Sequence, residues 1–238
     1  MMTLNHGLSG YVCGRVAMPL LRRRAPVSER AMGWAFFIGA MLPDLDALGT
    51  LFGGWIYFSD AWYGHRQASH SILGTLLLAL AAALLLRPWL TRDRAVSAAR
   101  ALPWLVGCFW AGGLLHLVGD VVTPRRPLPV FWPLDVRFGA WSHIGWFSPY
   151  LLWLFVATLF IDALLRSGAR RLSALRPWQG PVAWGVYALA VWRWGHYLVT
   201  SRYESGWQWA DYQLSLLPAA MVHPLADTVQ AAWHWMTR

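Results

Sequence analysis

The stretch Ala101-Leu-Pro-Trp-Leu-Val-Gly-Cys-Phe-Trp-Ala-Gly-Gly-Leu-Leu-His116-Leu-Val-Gly-Asp120-Val-Val122 is apolar throughout except for one imidazole and one carboxylate. Its length falls within the roughly 17–25 residues that a helix needs to cross a bilayer. On a helix, positions i and i+4 share a face, so His116 and Asp120 point the same way out of a hydrophobic rod. Ionisable groups in such a place are costly unless partnered, and a bound cation is one partner that satisfies both. A buried hydrogen-bonded pair has the same signature, so the pair alone does not decide between them.

Three other stretches place His or Asp at the edges of apolar segments: His6, then Asp44 and Asp46 in Leu42-Pro-Asp-Leu-Asp46, then His65 and His70 in His65-Arg-Gln-Ala-Ser-His-Ser71. They supply nitrogen and oxygen donors of the kind zinc and similar ions take. Singly, each has a plainer reading. Leu42–Asp46 reads as a turn closed by an aspartate side chain, and His65 and His70, five apart, do not share a helical face. His65 is expected in the loop and His70 in the first helical turn.

Composition places the set in a membrane. The 238 residues are 57% hydrophobic and 13% charged, with a mean hydropathy of +0.38; a soluble domain carries roughly 25% charged residues. The chain reads as one integral membrane domain, 1–238. Eighteen Trp suit the membrane–water interface. The net charge of +9 comes from Arg alone, since the chain has no Lys. The Arg residues lie in loops between apolar runs, which argues against nucleic acid as a partner. Cys13 and Cys108 are isolated and read as small core residues. No cleavable signal peptide is expected, because the N-terminus lacks a basic region.

The expected fold is all-α, a multi-pass membrane bundle of six main helices plus a C-terminal one, with the metal site at one end. The apolar runs are Ile72–Leu86, ending at Arg87-Pro88, then Ala101–Val122, Pro149–Leu165 and Gly180–Ser201. Two shorter helices precede them, Thr3–Leu21 and Arg30–Pro43, and Leu214–Thr237 forms the last. If the helices alternate in direction, three Arg-rich loops fall at one end: Arg22–Arg24 with Arg30, then Arg87, Arg92, Arg94 and Arg100, then Arg166, Arg170, Arg171 and Arg176. The His and Asp residues fall at the other. The positive-inside rule then puts the Arg end in the cytoplasm and the site on the extracytoplasmic side.

His6-Gly7, Leu42–Asp46, His65-Arg66 with Ser69-His-Ser71, His116-Leu-Val-Gly-Asp-Val-Val-Thr123 and Phe131-Trp-Pro-Leu134 resemble, in order, the blocks of the YdjM-like family of bacterial inner-membrane proteins, which are described as metal-dependent hydrolases. The resemblance covers about residues 1–138. More distantly, the order of ligands is similar to that of zinc-dependent phospholipase C and the S1–P1 nucleases. Those enzymes carry a further His-x-x-x-Glu/Asp pair; here His143 is followed by Phe147 and His196 by Thr200. One or two ions are therefore expected instead of three.

The resemblance implies a metal-dependent hydrolase acting on an ester or phosphoester, with a divalent ion, zinc first, activating water. The expected ligands are His6, Asp44, His65, His70, His116 and Asp120. Asp44 is chosen over Asp46 because Pro43 fixes its backbone. Asp46 is left as general base or as a group orienting a His ligand, and Arg66 steadies an anionic substrate oxygen. His143 and Thr123 are expected behind the ligands, and Arg125 and Arg126 against lipid headgroups. Membrane lipids are the expected partners, with a phospholipid or other membrane-borne phosphoester as substrate. Two rivals stand: a non-catalytic, metal-stabilised anchor with a closed four-ligand site, and a transporter, against which the clustering of polar groups at one end argues.

Overall fold

Ser28 and Ser71 show how the sequence starts its helices. Each side chain accepts a backbone N–H three residues on, from Ala31 at 3.1 Å and from Gly74 at 2.9 Å, so each caps donors that the first turn leaves unpaired. The computed structural model describes residues 3–52, 64–92, 96–121, 128–134, 136–137, 149–171 and 176–200, all within one compact unit, Met1–Ser201. Six α-helices occur among them: α1 Thr3–Leu21, α2 Glu29–Gly39, α3 Ile72–Leu90, α4 Ala98–Val121, α5 Pro149–Arg171 and α6 Arg176–Thr200. Short 3-10 segments at Leu42–Phe52 and Ala68–His70 link α2 to α3. There is no sheet among the described residues. The C-terminal helix expected at Leu214–Thr237 lies outside them.

Boundaries differ from the sequence reading at every helix but the first, and three of the differences bear on the packing and the His/Asp cluster. The second helix stops at Gly39 and Leu42–Asp46 winds as 3-10 instead of completing it. The third continues through Pro88 to Leu90; the proline falls in the last turn, where the Arg87 carbonyl accepts from both the amide and the hydroxyl of Thr91 at 2.9 Å. His70 precedes the helix, one residue ahead of its Ser71 cap.

Among the described residues, three helices are long and apolar enough to cross a membrane: α3, α4 and, within α5, Tyr150–Gly168. Their outward faces are apolar as well. On α3, Leu73, Leu77, Leu80 and Leu84 form an exposed stripe, and on α5, Trp153, Val156, Phe160 and Leu164 do the same. Apolar surface of that extent is unsuited to water and suited to lipid. The fourth expected span, α6, is long enough but carries Arg176, Gln179 and Arg193.

Among the described residues, two cores hold the bundle. One joins α2, α3 and α4 around Met32, Phe36, Ala79, Leu105 and Phe109. The other joins α1, α5 and α6 around Val12, Leu151, Phe155 and Tyr187. Helices α2 and α4 cross at backbone contact: a Cβ on Gly39 would stand 2.1 Å from the Phe109 carbonyl oxygen, and one on Gly112 would stand 2.4 Å from that of Phe36. Small residues permit such an approach in membrane bundles, where close packing takes the place of hydrophobic drive. Away from the His/Asp end, Trp34 of α2 meets Trp89 of α3, and Trp184 of α6 donates to the Val16 carbonyl at 3.1 Å.

Candidate metal centre

Four helix ends deliver the residues. His6 lies in the first turns of α1, Asp44 and Asp46 follow α2, His65 and His70 precede α3, and His116 and Asp120 close α4. The structure brings all seven together. His6, His70 and His116 are fully buried and Asp120 is nearly so.

The centre of the cluster is a set of four facing atoms. His70 Nε2 lies 3.4 Å from Asp44 Oδ1 and 3.6 Å from Asp120 Oδ2. His116 Nε2 lies 3.6 Å from each of the same two oxygens. These separations are long for hydrogen bonds, and neither Nε2 has a hydrogen-bond partner among the described residues. Four donors bound tetrahedrally about 2.0–2.1 Å from one zinc ion sit roughly 3.3–3.5 Å apart. The observed spacing fits donors around a shared cation. The flanking residues extend it: His6, His116 and Asp120, and likewise Asp44, His65 and His70, each gather donor atoms within 4.8 Å of one another.

The residues behind the donors fix their orientation. His116 Nδ1 is 2.8 Å from the Ala40 carbonyl oxygen; a carbonyl only accepts, so Nδ1 carries the proton and Nε2 presents its lone pair to the cluster. The Gly39–Gly112 crossing brings Ala40 that close. Ser69 donates to Asp46 at 2.6 Å, and its oxygen stands 2.9 Å from His70 Nδ1, while Asp46 also pairs with His65 Nδ1 at 2.7 Å. His6 donates from Nε2 to Asp120 Oδ1 at 3.0 Å, its ring stacked on that of His116. Arg66 donates to the Asp120 carbonyl at 2.9 Å and lies 3.2 Å from its carboxylate. Arg66 does so from a left-handed backbone, φ 63°, which a non-glycine residue adopts at a cost.

Electrostatics follow from the same contacts. Burial alone would raise Asp44, yet the imidazoles of His116 and His70 hold it below the ordinary carboxylate range. Burial would likewise raise Asp46, which hydrogen bonds from His65 and His70 hold low. His70 would be lowered by burial, but Asp44 and Asp46 outweigh that and push it up to about 9. Two ionised carboxylates thus face nitrogen donors at the membrane-end cluster, a composition suited to a divalent cation.

Sequence reasoning missed the Ala40 carbonyl, the Ser69 hydroxyl and the glycine crossing. The Gly112-Gly113 pair one turn before His116 was the available signal; a backbone acceptor leaves none. His143, Thr123, Arg125 and Arg126 lie outside the described residues.

No curated protein and no solved structure matches the chain. The family described as YdjM inner membrane protein matches residues 1–203, reaching beyond the blocks that end near residue 138 to take in α5 and α6. The chain belongs to the YdjM inner membrane protein family.

Proposed function

We propose that this is a multi-pass membrane hydrolase that uses one or two divalent ions, zinc first, to cleave an ester or phosphoester carried by the membrane. The observation that carries the reading is the surplus of donors: His6 and His65 flank a centre that His70, His116, Asp44 and Asp120 already suffice to fill. A purely structural zinc site closes with four ligands and needs no more. When bound, such an ion supplies a Lewis acid that activates water. The chain's own residues then divide the work. Asp44 and Asp120 present oxygens to the centre and balance the ion's charge. Asp46, engaged by His65, Ser69 and His70, positions those imidazoles or takes the water's proton. Arg66 holds Asp120 in place, a positioning role that leaves the substrate-binding role expected of it to be tested.

The four-atom centre itself favours a second reading, a closed site that stabilises a membrane anchor without turnover. Metal analysis of purified protein, together with a panel of phosphodiester and carboxylic ester substrates, separates the two. Stoichiometric metal with turnover that Asp44→Asn abolishes is expected for the hydrolase. Full metal occupancy with no turnover across the panel would give the anchor reading the lead. By the positive-inside rule the site opens on the extracytoplasmic face of the inner membrane.

A further inference from the structure

A second polar cluster lies apart from the His/Asp centre. Helices α1, α2, α5 and α6 border a groove of ≈970 Å³, near the upper end of the roughly 300–1,000 Å³ typical of ligand sites. Its charged lining is Arg15, Arg22, Arg30 and Arg166 with Glu29 and Asp162. Four guanidiniums against two carboxylates leave a formal excess of positive charge.

The carboxylates do not satisfy the arginines equally. Asp162 is engaged by its own neighbours, its Oδ2 accepting from Arg166 Nε at 3.1 Å and from the Tyr187 hydroxyl at 2.7 Å. Glu29 stands 3.7 Å from Arg15 and 3.9 Å from Arg22, too far for a hydrogen bond to either. Arg15 Nε is buried with no hydrogen-bond partner among the described residues, and its guanidinium lies over the Tyr187 ring. Arg15 lies on α1 and Arg22 directly follows its last residue, seven residues or two turns on, with the Arg22 amide still bonded to the Met18 carbonyl at 2.9 Å. The rest of the groove is apolar, with Leu8, Phe37, Leu159 and Trp184 among its walls.

We infer that this groove binds an acidic phospholipid of the surrounding bilayer, its phosphate between Arg15 and Arg22 and its acyl chains along the apolar wall. Charge selects the ligand: a phosphate monoanion supplies the acceptor oxygens that Glu29 is too distant to give, and Arg matches phosphate in a forked geometry. The long apolar wall selects an amphiphile over a free anion. The inference stands independently of hydrolysis, since no donor of the metal centre lines the groove.

The test uses the full chain purified into nanodiscs of phosphatidylcholine with phosphatidylglycerol, followed by native mass spectrometry of retained lipid and by metal analysis. The parent protein should retain phosphatidylglycerol over phosphatidylcholine by about tenfold or more. The Arg15→Gln/Arg22→Gln double variant should lose that preference while keeping its metal. Gly180→Trp tests the groove without removing charge. Gly180 lines it, and a Cβ there would meet nothing within 4 Å; the indole should displace lipid from a folded protein. Equal retention of the two lipids by the parent overturns the inference, as does undiminished preference in a folded variant. Competition by millimolar inorganic phosphate alone, with no lipid retained, also overturns it.

Discussion

At the residue scale, the two aspartates of Leu42-Pro-Asp-Leu-Asp46 divide by what they face. Asp44 turns an oxygen to the Nε2 atoms of His70 and His116, whereas Asp46 is tied to His65, Ser69 and His70 Nδ1. Asp44→Asn should therefore lose bound metal outright. Asp46→Asn should keep some and bind it about 10–100-fold more weakly, as expected when a group that orients a histidine ligand is altered. Atomic absorption on both variants checks this, and equal retention by the two would return the pair to a simple turn. The same atoms set a pH dependence. Without metal, His70 stays protonated up to about 9 because Asp44 and Asp46 outweigh its burial. An ion needs the neutral ring, so binding must displace that proton. Zinc affinity should rise as pH is raised from 6 towards 9, with proton release measurable by calorimetry in two buffers. An affinity flat over that interval would remove His70 from the ligand set.

At the scale of elements, the glycine crossing of α2 on α4 links packing to chemistry. It sets the distance from the Ala40 carbonyl to His116 Nδ1. Gly112→Ala introduces a Cβ 2.4 Å from the Phe36 carbonyl oxygen, so the helices must part, at a cost of about 1–3 kcal/mol. Thermal unfolding should report lower stability and metal analysis a weaker site. Gly107→Ala on the same helix meets nothing within 4 Å and should leave both unchanged. If both substitutions behave alike, the crossing does not support the site. Much of this architecture was legible in the sequence. The first helix was bounded at Thr3–Leu21 as observed, and the spacing of His116 and Asp120 placed both on one face, because apolar runs and i,i+4 geometry are local properties. Contacts that depend on two segments meeting were not legible. The carbonyl of Ala40 looks like any other until α4 lies across it, and the 3-10 winding after Gly39 answers to the cluster that Asp44 and Asp46 join. The helical run through Pro88 shows the reverse error, a local rule applied where the last turn tolerates the exception.

For the whole molecule, alternation of helix direction connects sequence to sidedness. The site gathers the start of α1, the end of α2, the start of α3 and the end of α4. The links carrying Arg22–Arg24 and Arg92 therefore fall at the far end, where Trp34 meets Trp89. The groove lined by Arg22, Arg30 and Gly180 places the beginning of α6 there too. With the three links richest in Arg at one end, that end is expected in the cytoplasm. A cysteine scan tests it in a background where Cys13 and Cys108 are changed to Ala. Ser97, exposed at the start of α4, reports the Arg end, and Leu134, 65% exposed and held near the start of α3 through the Val130 carbonyl, reports the site end. In intact cells an impermeant maleimide should label Leu134→Cys and spare Ser97→Cys, and lysis should expose both. Labelling of Ser97→Cys alone would place the metal centre in the cytoplasm, and substrates would then have to come from the inner leaflet.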